Sequence, residues 1–149
     1  MILMWYLYTM ATKLVTRNTD YAVRALCYMA AREREEKGGI ITVTELVKEL
    51  GMPRPFLRKI LQKLNAAKLL ISRKGKGGGF RLAKQADKIF ITQVMEIFQG
   101  PFKLNDCMFK RKICPNRKAC FMRKKLEAIE EFAAAQLKSV TIKEILNGH

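Results

Sequence analysis

The chain has 149 residues, 49% of them apolar, with 29 Lys and Arg against 13 Asp and Glu, a formal net charge of +16. That length suffices for one domain with a real core, and the charge calls for a polyanionic partner, a nucleic acid or an anionic membrane surface, rather than an inert basic exterior. No apolar run approaches the roughly 18–20 residues that cross a bilayer. The opening run from Met1 to Tyr8 is too short. It has no basic residue before it and no small-residue cleavage site after it, so neither a spanning helix nor a signal peptide is predicted and a cytoplasmic location is expected.

Residues 1–10 read as an N-terminal extension, with a second Met at position 10. A helix is predicted from Asn18 to about Glu36. Tyr21, Val23, Ala25, Leu26, Met29 and Ala30 lie there among polar positions, Asn18 or Thr19 stands ready to cap the start, and Lys37 to Gly39 end it. The stretch from Thr42 to Glu45 is a capping box that opens a second helix, with Leu46, Val47 and Leu50 facing a core and Gly51 as the stop. After a short turn, Pro55 suits the first turn of a third helix. Leu57, Ile60, Leu61 and Leu64 repeat there at i, i+3, i+4, i+7, and the helix is expected to end near Leu69. From Leu70 to Leu82 two short alternating runs flank a glycine-rich turn, which predicts a β-hairpin. Thr92 is expected to cap a further helix carrying Val94, Met95, Ile97 and Phe98, ended by Gly100 and Pro101. The cysteine-bearing segment follows. A long helix with a stripe of Leu126, Ile129, Ala133, Leu137 and Val140 comes next, and a second capping box from Thr141 to Glu144 starts a last short turn of helix.

Helix, tight turn, helix and basic hairpin is the layout of a mostly α winged helix-turn-helix with a two-stranded β wing. With Leu57, Ile60, Leu61 and Leu64 committed to the core, Pro55, Arg58, Lys59 and Gln62 project from the opposite face at about 100° per residue. A helix fits the major groove, where Arg and Gln can bond base edges. In the hairpin, Arg73, Lys74, Lys76 and Arg81 bracket Gly75, Gly77, Gly78 and Gly79. Glycines allow close approach to phosphates, the cations neutralise them, and Lys74 or Lys76 could enter a minor groove. No Gly-Lys-Ser/Thr triplet follows and no helix succeeds the loop directly, so a nucleotide-binding P-loop is a poor match. Between positions 37 and 88 there are thirteen Lys and Arg against three Asp and Glu, a net of +10. The predicted DNA contacts are Arg54, Pro55, Phe56, Arg58, Lys59, Gln62, Arg73, Lys74 and Lys76. Duplex DNA is favoured over a membrane surface because the charge follows a hairpin and a turn rather than one amphipathic helix.

Cys107, Cys114 and Cys120 are separated by six and five residues. Three thiolates on a non-helical loop can converge on one metal centre. The absence of a tight Cys-x-x-Cys knuckle suits an iron-sulfur cluster better than structural zinc, while three free thiols or a thiol-redox switch stay open as the alternative. Lys110, Arg111, Lys112, Arg117 and Lys118 would lower thiol pKa values and offset cluster charge, or hold phosphates. For a fourth ligand, His149 is poorly placed and Cys27 sits beside Leu26 and Met29 as a core cysteine would. Asp106 and Asp20 are possible oxygen donors. With no Cys-x-x-Cys, no usable histidine base and no acid pair, an enzyme is not expected.

The stretches 14–30 and 55–70, the wing from Arg73 to Leu82, the three cysteines and the ending from Thr141 to Leu146 together resemble the Rrf-two family of bacterial transcriptional regulators, which includes iron-sulfur and nitric-oxide sensors. The resemblance covers about Ala11 to Leu146. It implies a dimer through the long helix, here 123–140, which would set two recognition helices roughly 34 Å apart on a palindromic operator. It implies Cys107, Cys114 and Cys120 as cluster ligands, two-iron or four-iron. Arg123 stands where some members place a histidine ligand, whereas Asp20 matches the acidic ligand that other members donate from the partner subunit. The expected organisation is an extension (1–10), a winged helix-turn-helix domain (11–100), a cysteine sensor loop (101–121) and a dimerisation helix with the C-terminal end (122–149). In such a regulator, changes at the cluster would reshape the loop and shift DNA affinity.

Overall fold

A computed structural model of the chain describes residues 14–35, 39–103 and 120–148. Its elements in order are α1 (Arg17–Glu35), α2 (Val43–Leu50), α3 (Arg54–Ala66), β1 (Leu70–Arg73), β2 (Gly79–Leu82), a 3-10 turn (Ala86–Lys88), α4 (Ile91–Gln99), α5 (Phe121–Lys138) and α6 (Ile142–Asn147). The predicted mostly helical architecture with a two-stranded antiparallel wing is present.

α1 is the hub, because one of its faces is small enough to admit several neighbours. Ala22, Ala25, Leu26, Met29 and Ala30 are all buried, and α2, α3, α4, α6 and β2 all pack on α1. The same core takes Leu46 from α2, the whole predicted row Leu57, Ile60, Leu61 and Leu64 from α3, Leu70 and Leu82 from the wing, Val94 from α4 and Ile142 from α6. Burying a side chain of this size is worth about 1.5–3 kcal/mol, so these residues fix where α3 and the wing stand.

Local chemistry sets most helix ends. Thr42 caps α2 by accepting from the Glu45 N–H at 3.1 Å. The Glu45 carboxylate reaches elsewhere, accepting from Tyr28 Oη at 2.9 Å and lying 3.4 Å from Arg32 Nε. Burial, reinforced by that bond, pushes the Tyr28 hydroxyl pKa up to about 12. Thr141 caps α6 in a complete box: it accepts from the Glu144 N–H at 3.2 Å, and Glu144 accepts from the Thr141 N–H at 2.8 Å. Both expected boxes therefore mark helix starts.

Four expected boundaries are corrected. α1 begins one residue before Asn18, and its cap is Thr16, not Asn18 or Thr19. Thr16 accepts from the Asp20 N–H through its carbonyl at 2.9 Å, while Thr19 is fully buried. α4 is capped by Phe90 rather than Thr92, because the segment pairs with the C-terminal region. The Ile91 N–H donates to the Val140 carbonyl and the Ile142 N–H to the Ile89 carbonyl, both at 2.9 Å. α3 stops at Ala66 instead of near Leu69. Lys68 adopts φ 59°, and the Leu69 N–H folds back to the Leu64 carbonyl at 3.0 Å, a left-handed ending more usual for glycine. The long helix likewise ends at Lys138, before Val140.

Candidate nucleic-acid interface

α3 presents two chemically distinct faces. Its apolar row is buried, and Arg54, Pro55, Arg58, Lys59, Gln62 and Lys63 are all exposed. This follows from the helical period, since every residue between the buried positions must look outward. Phe56 is different. Its ring is half-buried and meets Tyr21 of α1 edge to face, with centroids 5.4 Å apart and planes at 81°. At the other end of α3, Lys63 Nζ stands 5.7 Å from the centre of the Phe98 ring of α4. Neither Tyr21 nor Phe98 was expected to touch α3. Their positions lie 35 residues from those they meet, a separation over which helical spacing carries no signal.

The wing pairs Leu70 with Leu82, Ile71 with Arg81, Ser72 with Phe80 and Arg73 with Gly79. Leu70 and Leu82 point into the core, and Arg73, Lys74, Lys76 and Arg81 are exposed. Gly75 and Gly77 carry φ of 95° and 75°, which makes the tip tight, and the Gly78 N–H closes it on the Gly75 carbonyl at 3.0 Å. On the side of its tip, β2 is fastened to the segment before α2. Ile41 and Phe80 exchange backbone hydrogen bonds in both directions at 2.9 Å, and a Cβ on Gly79 would collide with the Ile41 carbonyl.

The cysteine-bearing region leaves the body at a clasp. Gln99, the last residue of α4, accepts through Oε1 from the buried Thr19 hydroxyl at 2.8 Å and from the Thr16 N–H at 3.0 Å. Its Nε2 donates to the Leu14 carbonyl at 3.1 Å. The start of α1 is thereby tied to the residue just before Gly100 and Pro101. Asp20, next to this clasp, is partly exposed and bonds Arg24 Nε at 3.0 Å. Cys120 is half-buried and stands at the N-cap of α5. Cys107, Cys114, Asp106, the basic residues 110–118 and His149 lie outside the described residues, as does the 1–10 extension. Cys27 is half-buried against the core, and burial raises its thiol pKa.

α5 contrasts with the other long helices. None of its residues is buried among the described residues. Phe121, Met122, Ile129 and Phe132 are between 53% and 72% exposed. Ala134 and Leu137, in its C-terminal half, line a cleft with Thr92, Met95, Gly100, Pro101 and Phe102. No helix among the described residues is long and apolar enough to cross a membrane.

Comparison with known proteins agrees with this layout. The family described as Rrf2, iron-dependent transcriptional regulator, matches residues 15–148. An HTH-type transcriptional regulator of Aquifex aeolicus (strain VF5) is 34% identical over 130 residues, covering 85% of this chain and 87% of its own length. The protein aau3 of Rhizobium meliloti (strain 1021) is 33% identical over 122 residues, covering 78% and 77%. Among solved structures, CymR, the global cysteine regulator of B. subtilis, superposes with a TM-score of 0.72 at 16% identity, covering 91% of this chain and 97% of its own. IscR of T. potens superposes with a TM-score of 0.70 at 21% identity, covering 94% and 90%. At these identities the structural likenesses establish the fold.

Proposed function

The chain belongs to the Rrf2 family of DNA-binding transcriptional regulators, which are not enzymes, and from that premise we propose that it works as a cytoplasmic homodimer on a palindromic site, with its affinity set by an iron-sulfur cluster on the three-cysteine segment. The observation that carries the DNA-reading part is the exposed row Arg54, Arg58, Lys59 and Gln62 on a helix whose inner face is wholly buried, beside a cationic tip fastened to the same body. In this reading α3 enters the major groove, where Arg58 and Gln62 bond base edges. Arg73, Lys74 and Lys76 neutralise phosphates.

The test is binding to duplexes selected from a random pool, measured against salt. Log affinity should fall steeply with log salt. Arg58→Ala should cost about 1–3 kcal/mol and relax preference at one base position, whereas Lys76→Ala should weaken all duplexes alike and reduce the salt slope by about 1. Binding without salt dependence would overturn the assignment.

Pairing of two copies is supported by α5, whose exposed Phe121, Met122, Ile129 and Phe132 have no cover within the chain's described residues. A two-fold pair through α5 would set two α3 helices on successive turns of DNA.

The donor chemistry fits a cluster: three thiolates and one carboxylate are ligands that iron accepts. Cys120 stands at the N-cap of the 18-residue α5, where the cysteine segment joins that helix. Asp20 is reachable from solvent, and its carboxylate would exchange Arg24 for the metal. α5 rises about 21 Å between Ala134, near Gly100, and Cys120 at its far end. The start of α1 lies near the Gly100 end, which supports donation of Asp20 from the partner subunit. When bound, such a cluster supplies a centre that responds to oxidation, iron supply or nitric oxide. The chain's own contribution is the clasp of Thr16, Thr19 and Gln99, by which rearrangement of the cysteine segment would bear on α1 and, through it, on α3.

A second reading is a thiol-redox switch or a zinc site on the same cysteines, the thiol switch being the one that the likeness to a cysteine regulator supports. Anaerobic reconstitution with iron and sulfide, followed by absorbance and iron assay, separates the two. A Cys107→Ala, Cys114→Ala, Cys120→Ala triple variant that retains the same iron would end the cluster assignment.

A further inference from the structure

We propose that Tyr21 is a positioning residue for sequence reading: its ring, set against Phe56, holds the first turn of α3 at the depth and angle that base contacts require. The inference rests on the assignment of α3 as the reading helix. Three observations carry it. The N-cap of α3 is Pro53, which offers no side-chain acceptor to the first-turn N–H groups, so this end lacks the local fastening that Thr42 and Thr141 give α2 and α6. Of the first-turn residues, Arg54 and Pro55 are exposed while Phe56 is half-buried, and Phe56 meets Tyr21 edge to face at 5.4 Å. Tyr21, finally, stands on a part of α1 that is itself immobilised, one turn beyond Thr16 and next but one to Thr19, both bonded to Gln99.

The physical consequence is selective. Attraction between a lysine and a phosphate changes slowly with distance, falling over a Debye length of about 8–10 Å. A bidentate bond to a base edge fails within a few tenths of an ångström or some tens of degrees. Loosening the start of α3 therefore removes discrimination before it removes electrostatic affinity. A residue that merely stabilised the fold would affect both together.

The experiment uses the full chain, a duplex selected by it from a random pool, and a scrambled duplex of equal length. Tyr21→Leu is expected to reduce the preference for the selected duplex by about 2- to 13-fold, the range that an aromatic pair of this geometry spans. Affinity for the scrambled duplex and its salt slope should stay at the wild-type values. Tyr21→Phe, which keeps the ring, should hold the preference within twofold. Phe56→Leu breaks the same contact from the side of α3 and keeps the test valid if Tyr21→Leu folds poorly. Combining the two should do no more than either alone. Preference retained in both single variants, equal loss on the two duplexes in Tyr21→Leu, or additive losses in the double variant would overturn the proposal. A wild-type chain that prefers no duplex would instead sink the reading of α3 and this inference with it.

Discussion

α3 and α5 are written in similar amphipathic patterns and meet opposite fates. In α3 the residues Leu57, Ile60, Leu61 and Leu64 are all 2% exposed or less, whereas in α5 Ile129 of the apolar stripe is 53% exposed and Phe132, beside the stripe, is 67% exposed. The period is the same. What differs is the surface opposite: α1, α2 and β1 face α3, and α5 meets the body mainly through α4. An apolar stripe thus says that a helix has a partner but not whether the partner is in the same chain. Placement of α3 is secured within the described residues of one chain, while nothing among those residues covers the exposed side of α5.

The sharpest way to break this contrast is to truncate each stripe. Leu57→Ala should destabilise the chain by about 2–5 kcal/mol, read as a lowered urea midpoint at every protein concentration. Charging the α5 face with Ile129→Glu and Phe132→Glu together should weaken the proposed pairing by at least about 2 kcal/mol. Sedimentation would then find monomers where the wild type is paired, and the dependence of Tm on protein concentration should disappear in the variant alone. If the double variant instead lowers stability at all concentrations equally, α5 is covered from within.

Smaller effects test how α6 and α2 are fixed to the body. Thr141→Ala should cost about 1 kcal/mol, measured by thermal melting at neutral pH. Hydrogen bonds from the backbone and side chain of Thr141 hold the Glu144 carboxyl below its ordinary pKa. Its contribution is therefore complete above that ordinary value and fades as pH falls through the lowered one. Thr141→Ala should flatten this acid limb of the stability curve. For Tyr28 the sign is reversed: its proton is held more tightly in the folded state. The associated stability is present below pH 10 and is lost as pH rises toward about 12. Ultraviolet titration should find one tyrosine ionising after the others, and Tyr28→Phe should remove it.

Much of the layout was legible because it is local. The four-residue row of α3, the two threonine boxes and the glycine-rich hairpin each announce themselves within a few positions, and the outward direction of Arg58 and Gln62 follows from the row they interrupt. Two of the boundaries that differed, the starts of α1 and α4, have distant causes. Thr16, not Asn18 or Thr19, caps α1, held there by Gln99, 83 residues away, which receives its N–H. Phe90 precedes α4 because the chain there pairs with Val140 and Ile142. In the candidate interface the charged residues were readable one by one. The ring of Phe56 was not, since its engagement with Tyr21 arises only after α1 and α3 cross.

The junction of Ile41, Gly79 and Phe80 makes the wing and the helix pair a single caliper. Because β2 is bonded at Phe80 to the segment leading into α2 and has no room for even one methyl group at Gly79, the opening between α3 and the tip is held by the body as well as by the hairpin. Substitutions at positions such as 58, 62, 74 and 76 would then change what stands on the jaws and leave the gap between them at one gauge.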